Sequence, residues 1–300
     1  MNIKIVTAFF DIGRGSYSNM NRSDDKYFEY FKFWARIKND LTIYCESKNA
    51  ERIKEIRSSF GLEEKTHIIC IDEFKSIEPH IYKRLKEIEK NENFKNFRFF
   101  NNALSNKADY CYIMCLKWWC LSNAAQNEDD NQMMAWLDFG YNHGGELYTN
   151  PNDFDFEWNY EFESKINKFC LCDPKSVCSI DNLQFQSDCF IGHTAVMPAH
   201  YCAKYWVEIK SAMLSLLQLD CMDDDQQLEL MVYRNYPEWF EVRICNWFED
   251  MKLCSNQSFE IKKGDTTSSF KSVIRNKVEK YRRKVSFYKR TRNRYLKYGR

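Results

Sequence analysis

Glycine and proline are scarce in this chain, with 9 Gly and 5 Pro in 300 residues. No Pro/Gly-rich linker divides it, so one domain over residues 1–265 with a tail over 266–300 is expected. No apolar run approaches the ~20 residues that a membrane-spanning helix needs. No stretch repeats. The loop Asp11-Ile-Gly-Arg-Gly-Ser16 lacks the Gly-Lys-Ser/Thr ending of a P-loop and does not match G-x-G-x-x-G. Among Cys170, Cys172, Cys178 and Cys189 there is no paired C-x2–4-C knuckle, which argues against zinc. The thirteen cysteines are an odd count in a long chain that opens on a strand-like Met-Asn-Ile-Lys-Ile-Val rather than an export signal. They are expected as reduced thiols in a cytoplasmic protein.

What is abundant is aromatic: 23 Phe, 18 Tyr and 8 Trp, within a hydrophobic content of 44%. A chain of this length and composition can bury a large core. The net charge of +1 hides an asymmetry. Residues 271–300 hold 13 Lys/Arg and one acid, Glu279, which leaves 31 bases and 42 acids elsewhere. The body therefore carries −11 and the tail +12. Such a split points the tail at an anionic partner.

Strands and helices alternate along the first half. Residues 2–10 read as a buried strand, followed by a polar loop from Asp11 to Asp25. Helices are expected over Tyr27–Ile37, Ala50–Phe60, Ile77–Glu89 and Ala108–Ala125, and strands over Leu41–Cys45 and Thr66–Ile71. This order argues for an α/β fold with a mainly parallel central sheet flanked by helices. Residues 133–140, Met-Met-Ala-Trp-Leu-Asp-Phe-Gly, read as a strand buried on both faces and closed by a turn. Residues 141–163 read as a polar, aromatic surface excursion. Strands are then expected over Phe169–Cys172 and Leu183–Phe190, helices over Pro198–Leu219 and Asp223–Tyr236, and a last strand over Trp239–Cys245.

Four places carry candidate chemistry. Arg14, in the glycine-bearing loop after the first strand, has the planar fork that suits a pyrophosphate. A flexible surface loop would look the same. Asp138 ends a buried strand at the rim where open α/β sheets bind ligands, and a carboxylate there suits a hard divalent cation carrying a phosphate. It would equally well cap the next turn. Gly140 would allow close backbone approach or a positive φ. His143, beside Gly144-Gly145, could join the same rim, although a solvent-exposed loop histidine is the commoner case. His193 follows Gly192 at an expected strand end, where it would ligate a metal, touch a phosphate or serve only the structure. Asp223-Asp224-Asp225 opens a helix, which the helix dipole alone explains, although three acids exceed what capping needs.

The order of these features is more specific than any one of them. Thr7-Ala-Phe-Phe-Asp-Ile-Gly-Arg14, Trp-Leu-Asp-Phe-Gly140 and Asp-Asp-Gln226 resemble the HtrL/YibB family over roughly residues 3–245. The arrangement looks like that of a GT-A glycosyltransferase. The resemblance implies a GT-A-like domain that transfers a sugar from a nucleotide-sugar, UDP-linked in the first instance, to a lipopolysaccharide, capsule or other surface-glycan acceptor. It places Thr7, Ala8, Phe9 and Arg14 at the nucleotide, with Lys117 meeting the diphosphate. It makes Asp138 the metal-binding acid of an Asp-x-Asp signature for Mn²⁺ or Mg²⁺, helped by His193. It makes Asp225 or Asp224 the acceptor-side carboxylate. The chain departs from the signature, because Trp136 stands where the first acid would be. Metal need and the retaining or inverting outcome stay open.

In the tail, Ile274, Val278, Tyr281, Val285, Tyr288 and Tyr295 form a narrow apolar stripe on an expected basic helix. Residues 270–298 suit an anionic membrane surface, on the inner face of the cytoplasmic membrane where lipid-linked glycan acceptors lie. A coiled-coil or core-docking role would give the same stripe. Nucleic acid is the competing partner, and the acidic body argues against a wide footprint for it. A non-catalytic scaffold in a glycan assembly complex is the remaining alternative.

Overall fold

The computed structural model describes residues 2–17, 22–99 and 104–262, and beyond them only Val285, Tyr288 and Arg292. The strands are β1 (Ile3–Phe9), β2 (Leu41–Cys45), β3 (Thr66–Cys70), β4 (Met133–Leu137), β5 (Ile166–Cys170), β6 (Phe190–Pro198) and β7 (Phe240–Ile244). The helices are α1 (Asp24–Trp34), α2 (Ser47–Ser58), α3 (Pro79–Glu89), α4 (Glu92–Phe97), α5 (Ala108–Ala124), α6 (Ser179–Phe185), α7 (Ala199–Gln218), α8 (Asp225–Asn235) and α9 (Asp250–Leu253).

The described strands form one sheet in the order β3-β2-β1-β4-β6-β5-β7. Only β6 runs against the rest, pairing antiparallel with both β4 and β5. The expected class, an α/β fold with a mainly parallel sheet flanked by helices, is what the chain adopts. After β1 the chain goes to β2 on one side, while β4 lies on the other. The β1/β4 boundary is therefore the switch point at which a crevice opens beyond the strands' carboxyl ends.

Side-chain alternation feeds two cores. Val6, Met134, Trp136 and Met197 pack with residues of α3, α5, α7 and α8. Ile5, Phe9, Ala135 and Leu137 pack on the other face with Phe31 and Trp34 of α1 and Ile53 of α2. Asp138 continues the parity of Trp136, so it points toward the α5 side.

Three expectations are corrected. Residues 141–163 are not a surface excursion: Tyr141, Tyr148, Phe154 and Trp158 are fully buried and cover the second face of the sheet. Asn39 ties this segment to β1, donating to the Ile3 and Trp158 carbonyls (2.7 and 2.8 Å) and accepting from the Trp158 amide (2.7 Å). The polar residues between the aromatics gave the segment its misleading surface character. The strand expected over Leu183–Phe190 is instead α6 followed by β6. Four alternating residues cannot separate a short helix from a strand, and Gln186 at φ 53 ends the helix. Gly192 and His193 accordingly lie inside β6, not at a strand end. Pro198 is the N-cap of α7 rather than part of its first turn. The basic tail and the boundary near residue 265 lie outside the described residues, apart from helical, exposed Val285, Tyr288 and Arg292.

Candidate active site

A cleft of about 320 Å³ opens at the carboxyl ends of β1 and β4. Its floor comes from β4, α5, β6 and the start of α8. Trp136 donates its indole N–H to Asp138 Oδ1 at 2.6 Å. The residue that replaces an acid in the sequence pattern is thus the partner of the remaining acid. Burial raises the pKa of Asp138, and the ammonium of Lys117 opposes that shift.

Lys117 is buried and forms an ion pair with Asp225. It also donates to the Gly192 carbonyl at 2.5 Å. Two of its three protons are therefore committed. Burial pushes its pKa down, but Asp225, Asp138 and Glu229 more than reverse this, so it stays charged. Gly192 makes the contact possible, because a Cβ there would lie 2.4 Å from Asp225 Oδ2. A second buried pair, Lys168–Glu229 at 2.8 Å, sits one helical turn further along α8. Lys168 donates to the Ile191 and Thr194 carbonyls of β6 (3.0 and 3.1 Å). Burial pushes Glu229 up to about 7, against the pull of Lys168. Asp225 and Glu229 share one face of α8 and fasten it to the sheet through two lysines.

His193 lines the cleft, with both ring nitrogens engaged. Nδ1 lies 2.9 Å from Thr194 Oγ1, and Nε2 accepts from the Phe248 amide at 3.2 Å. Burial, then Lys168 and Lys117, hold its pKa well below the usual histidine range. The ring is neutral and stacked on Phe248 (4.8 Å, 15°), and the lone pair a metal needs is directed at a backbone amide. Here His193 anchors the 246–249 turn. Asp250, which accepts from Tyr141 at 2.9 Å, is pushed up to about 6 by burial.

The rim is cationic and aromatic. Gly13 at φ 69 turns the loop after β1 and brings Arg14 into the cleft. Arg14 donates to the Phe10 carbonyl at 3.1 Å and lies over the Tyr27 ring at 4.9 Å. Tyr27 packs against Gly140, where a Cβ would meet the ring at 3.0 Å. Close approach, not positive φ, is thus the use of Gly140. The positive φ values fall just beyond it, at Asn142 (57), His143 (44), Gly144 (69) and Gly145 (124). Such conformations cost about 1–3 kcal/mol each for non-glycine residues and gather at functional sites.

Of the residues singled out from sequence, Ala8, Phe9, Arg14, Lys117, Asp138, His193 and Asp225 line this one cleft. Thr7 does not; it is fully buried in β1 with its hydroxyl unpartnered. Asp224 caps α8, accepting from the Gln226 amide at 3.3 Å, and lines a small neighbouring pocket with Asp188 and Asp223. Sequence reasoning missed Arg22, Tyr27, Tyr110, Glu146 and Trp247, all of which line the cleft. Only Glu146, three residues after His143 in the chain, lies near a residue the sequence singles out.

Fold and cleft together define an open-sheet α/β protein with a cleft at its switch point, lined by Arg14, Arg22 and Lys117 together with Asp138, Glu146 and Asp225. The chain belongs to the HtrL_YibB family, described as a bacterial protein of unknown function, whose model matches residues 1–256. It is similar to Protein HtrL of Escherichia coli (strain K12), with 27% identity over 264 residues, covering 82% of this chain and 90% of that protein. Among solved structures it is similar to the apo form of mouse xyloside xylosyltransferase 1, at 12% identity and a TM-score of 0.42, covering 83% of this chain and 90% of that one.

Proposed function

We propose that the cleft of this GT-A-like domain binds a nucleotide-sugar and transfers the sugar to a hydroxyl of a surface-glycan acceptor. One observation carries the reading. Arg14, Arg22 and Lys117 converge with Asp138 at the β1/β4 switch point, beside the flat rings of Tyr27, Tyr110 and Trp247. That composition suits a ligand with an anionic centre between a base and a sugar.

Breaking a sugar–diphosphate bond leaves negative charge on the departing nucleotide. Arg14 and Arg22 are the rim cations whose forked donors can meet it, worth about 1.5–3 kcal/mol per charged hydrogen bond. Lys117, committed to Asp225, holds fixed positive charge beneath them. Among the described residues no group of three His, Cys, Asp or Glu side chains could hold a metal. Asp138 has one oxygen engaged by Trp136, so its other oxygen suits a divalent ion that arrives already coordinated by the diphosphate. Such an ion would add charge neutralisation at the leaving phosphate.

The basic tail supports placing the protein on the inner face of an anionic membrane, next to a lipid-linked acceptor. A thermal-shift screen of UDP-, GDP-, CDP- and ADP-sugars, with and without Mn²⁺, tests the reading. A ligand at about 100 times its Kd stabilises the native state by about 2.7 kcal/mol. No shift with any nucleotide-sugar, or a shift unchanged by Asp138→Ala and Arg14→Ala, overturns it.

A further inference from the structure

A sugar transfer in one displacement needs a group that takes the acceptor's proton. Asp225 is pinned to Lys117, Asp138 accepts from Trp136, and Asp224 caps α8 and lines the neighbouring small pocket rather than the cleft. His143 is placed differently. Its Nδ1 donates to Glu146 Oε2 at 2.6 Å, which leaves Nε2 as the basic lone pair. That lone pair accepts from Arg22 Nη1 at 3.0 Å. The imidazole packs against the rings of Tyr30 (centroids 5.6 Å, tilted) and Phe248 (5.1 Å, edge-on). Its backbone is held at φ 44, in the left-handed region that non-glycine residues enter uncommonly and that histidine and asparagine tolerate best.

Resting on the nucleotide-sugar reading above, we infer that His143 is the acceptor-side base, oriented by Glu146 and capped by Arg22 until a diphosphate draws the guanidinium away. The acceptor O–H proton then passes to His143 Nε2. The acceptor oxygen forms its bond to the anomeric carbon as the carbon–oxygen bond to the diphosphate breaks, and that electron pair leaves with the phosphate oxygen. Glu146 balances the imidazolium. The configuration at the anomeric carbon inverts.

The charges facing His143 set the sign. Burial and the Arg22 cation lower its pKa, while Glu146 and Asp138 raise it; His193 opposite is neutral. Removing Arg22 from Nε2 and bringing in a polyanion both raise it. The base thus strengthens when the donor site fills.

The test follows the His143 imidazole resonance by NMR during pH titration of the full-length protein, assigned with His143→Asn. Asparagine tolerates the left-handed backbone, so this variant keeps the turn. Inorganic diphosphate is the probe, and calorimetry reports its binding independently. Diphosphate is expected to shift the His143 titration to higher pH. Arg22→Ala should show the higher midpoint without diphosphate, and Glu146→Gln a lower one. With a donor sugar, His143→Asn should lower kcat by about 10²–10⁴-fold with little change in KM. Diphosphate that binds without moving the His143 titration, or a His143→Asn protein that transfers at the normal rate, overturns the inference while leaving the binding reading intact. Absence of diphosphate binding overturns both.

Discussion

Gly192→Ala is the most telling single substitution. An added Cβ would lie 2.4 Å from Asp225 Oδ2, 3.2 Å from its Cγ and 3.4 Å from Oδ1. Ordinary contact begins near 3.4 Å, so the carboxylate must retreat by about 1 Å. It has nowhere to go, because Lys117 holds it and Lys117 also bonds to the Gly192 carbonyl. The variant therefore breaks a buried ion pair rather than merely crowding a core. Breaking such a pair costs about 3–5 kcal/mol, against about 1–3 kcal/mol for simple overpacking. At this chain length, that corresponds to a fall in Tm of roughly 10 °C. Urea unfolding followed by circular dichroism measures the change. Gly15→Ala is the control, with its nearest new neighbour at an ordinary 3.6 Å, and should stay within about 0.5 kcal/mol of the parent. A Gly192→Ala protein as stable as that control would refute the claim that Asp225 is fixed against β6.

Further outcomes follow from the same geometry. Lys117→Met leaves Asp225 and Asp138 without their buried cation and should lose about 3–5 kcal/mol at neutral pH, partly recovered on acidification as the carboxyls protonate; urea midpoints at several pH values read this. Asp250 has a folded pKa raised to about 6 from 3.8, so its favourable contribution is present below about pH 4 and lost as pH rises to about 6. Asp250→Asn should remove on the order of 3 kcal/mol of that pH dependence and be the more stable protein at pH 8, as comparison of the two stability–pH curves will show. Trp136→Phe deletes the donor to Asp138 and should cost about 1–3 kcal/mol, measured by thermal unfolding. A chain ending at residue 265 should keep the body's Tm and lose salt-sensitive binding to phosphatidylserine vesicles, since the +12 tail is gone.

The first half of the fold was legible because parallel strands buried on both faces read as apolar runs separated by helices. Leu41–Cys45 was expected and found with the same bounds. The second half was harder, since β6 runs antiparallel inside the sheet and its burial on both faces carries no period. A glycine in such a strand signals close approach, whereas the sequence alone places Gly192 at a strand end. In the cleft, Asp138, Asp225 and Arg14 stand out by residue type and place in the chain and Lys117 through the family resemblance, while their convergence on one cleft is visible only in the fold. Thr7 and Asp224 lie next to cleft residues in sequence, yet the strand buries one and the other caps α8 and lines the neighbouring pocket. Arg22 and Glu146 meet only through His143 across 121 and 3 residues, so the first of these contacts was hidden from any local pattern.

The central claim is that the β1/β4 cleft recognises a diphosphate through its rim arginines. Calorimetric titration with UDP, GDP, CDP and ADP, in parallel on the parent, Arg14→Ala and Arg22→Ala proteins, tests it most directly. At least one nucleotide should bind with a Kd below about 100 µM, and each arginine variant should weaken it by about 10-fold or more. Binding of none of the four, or equal binding by all three proteins, would contradict the account.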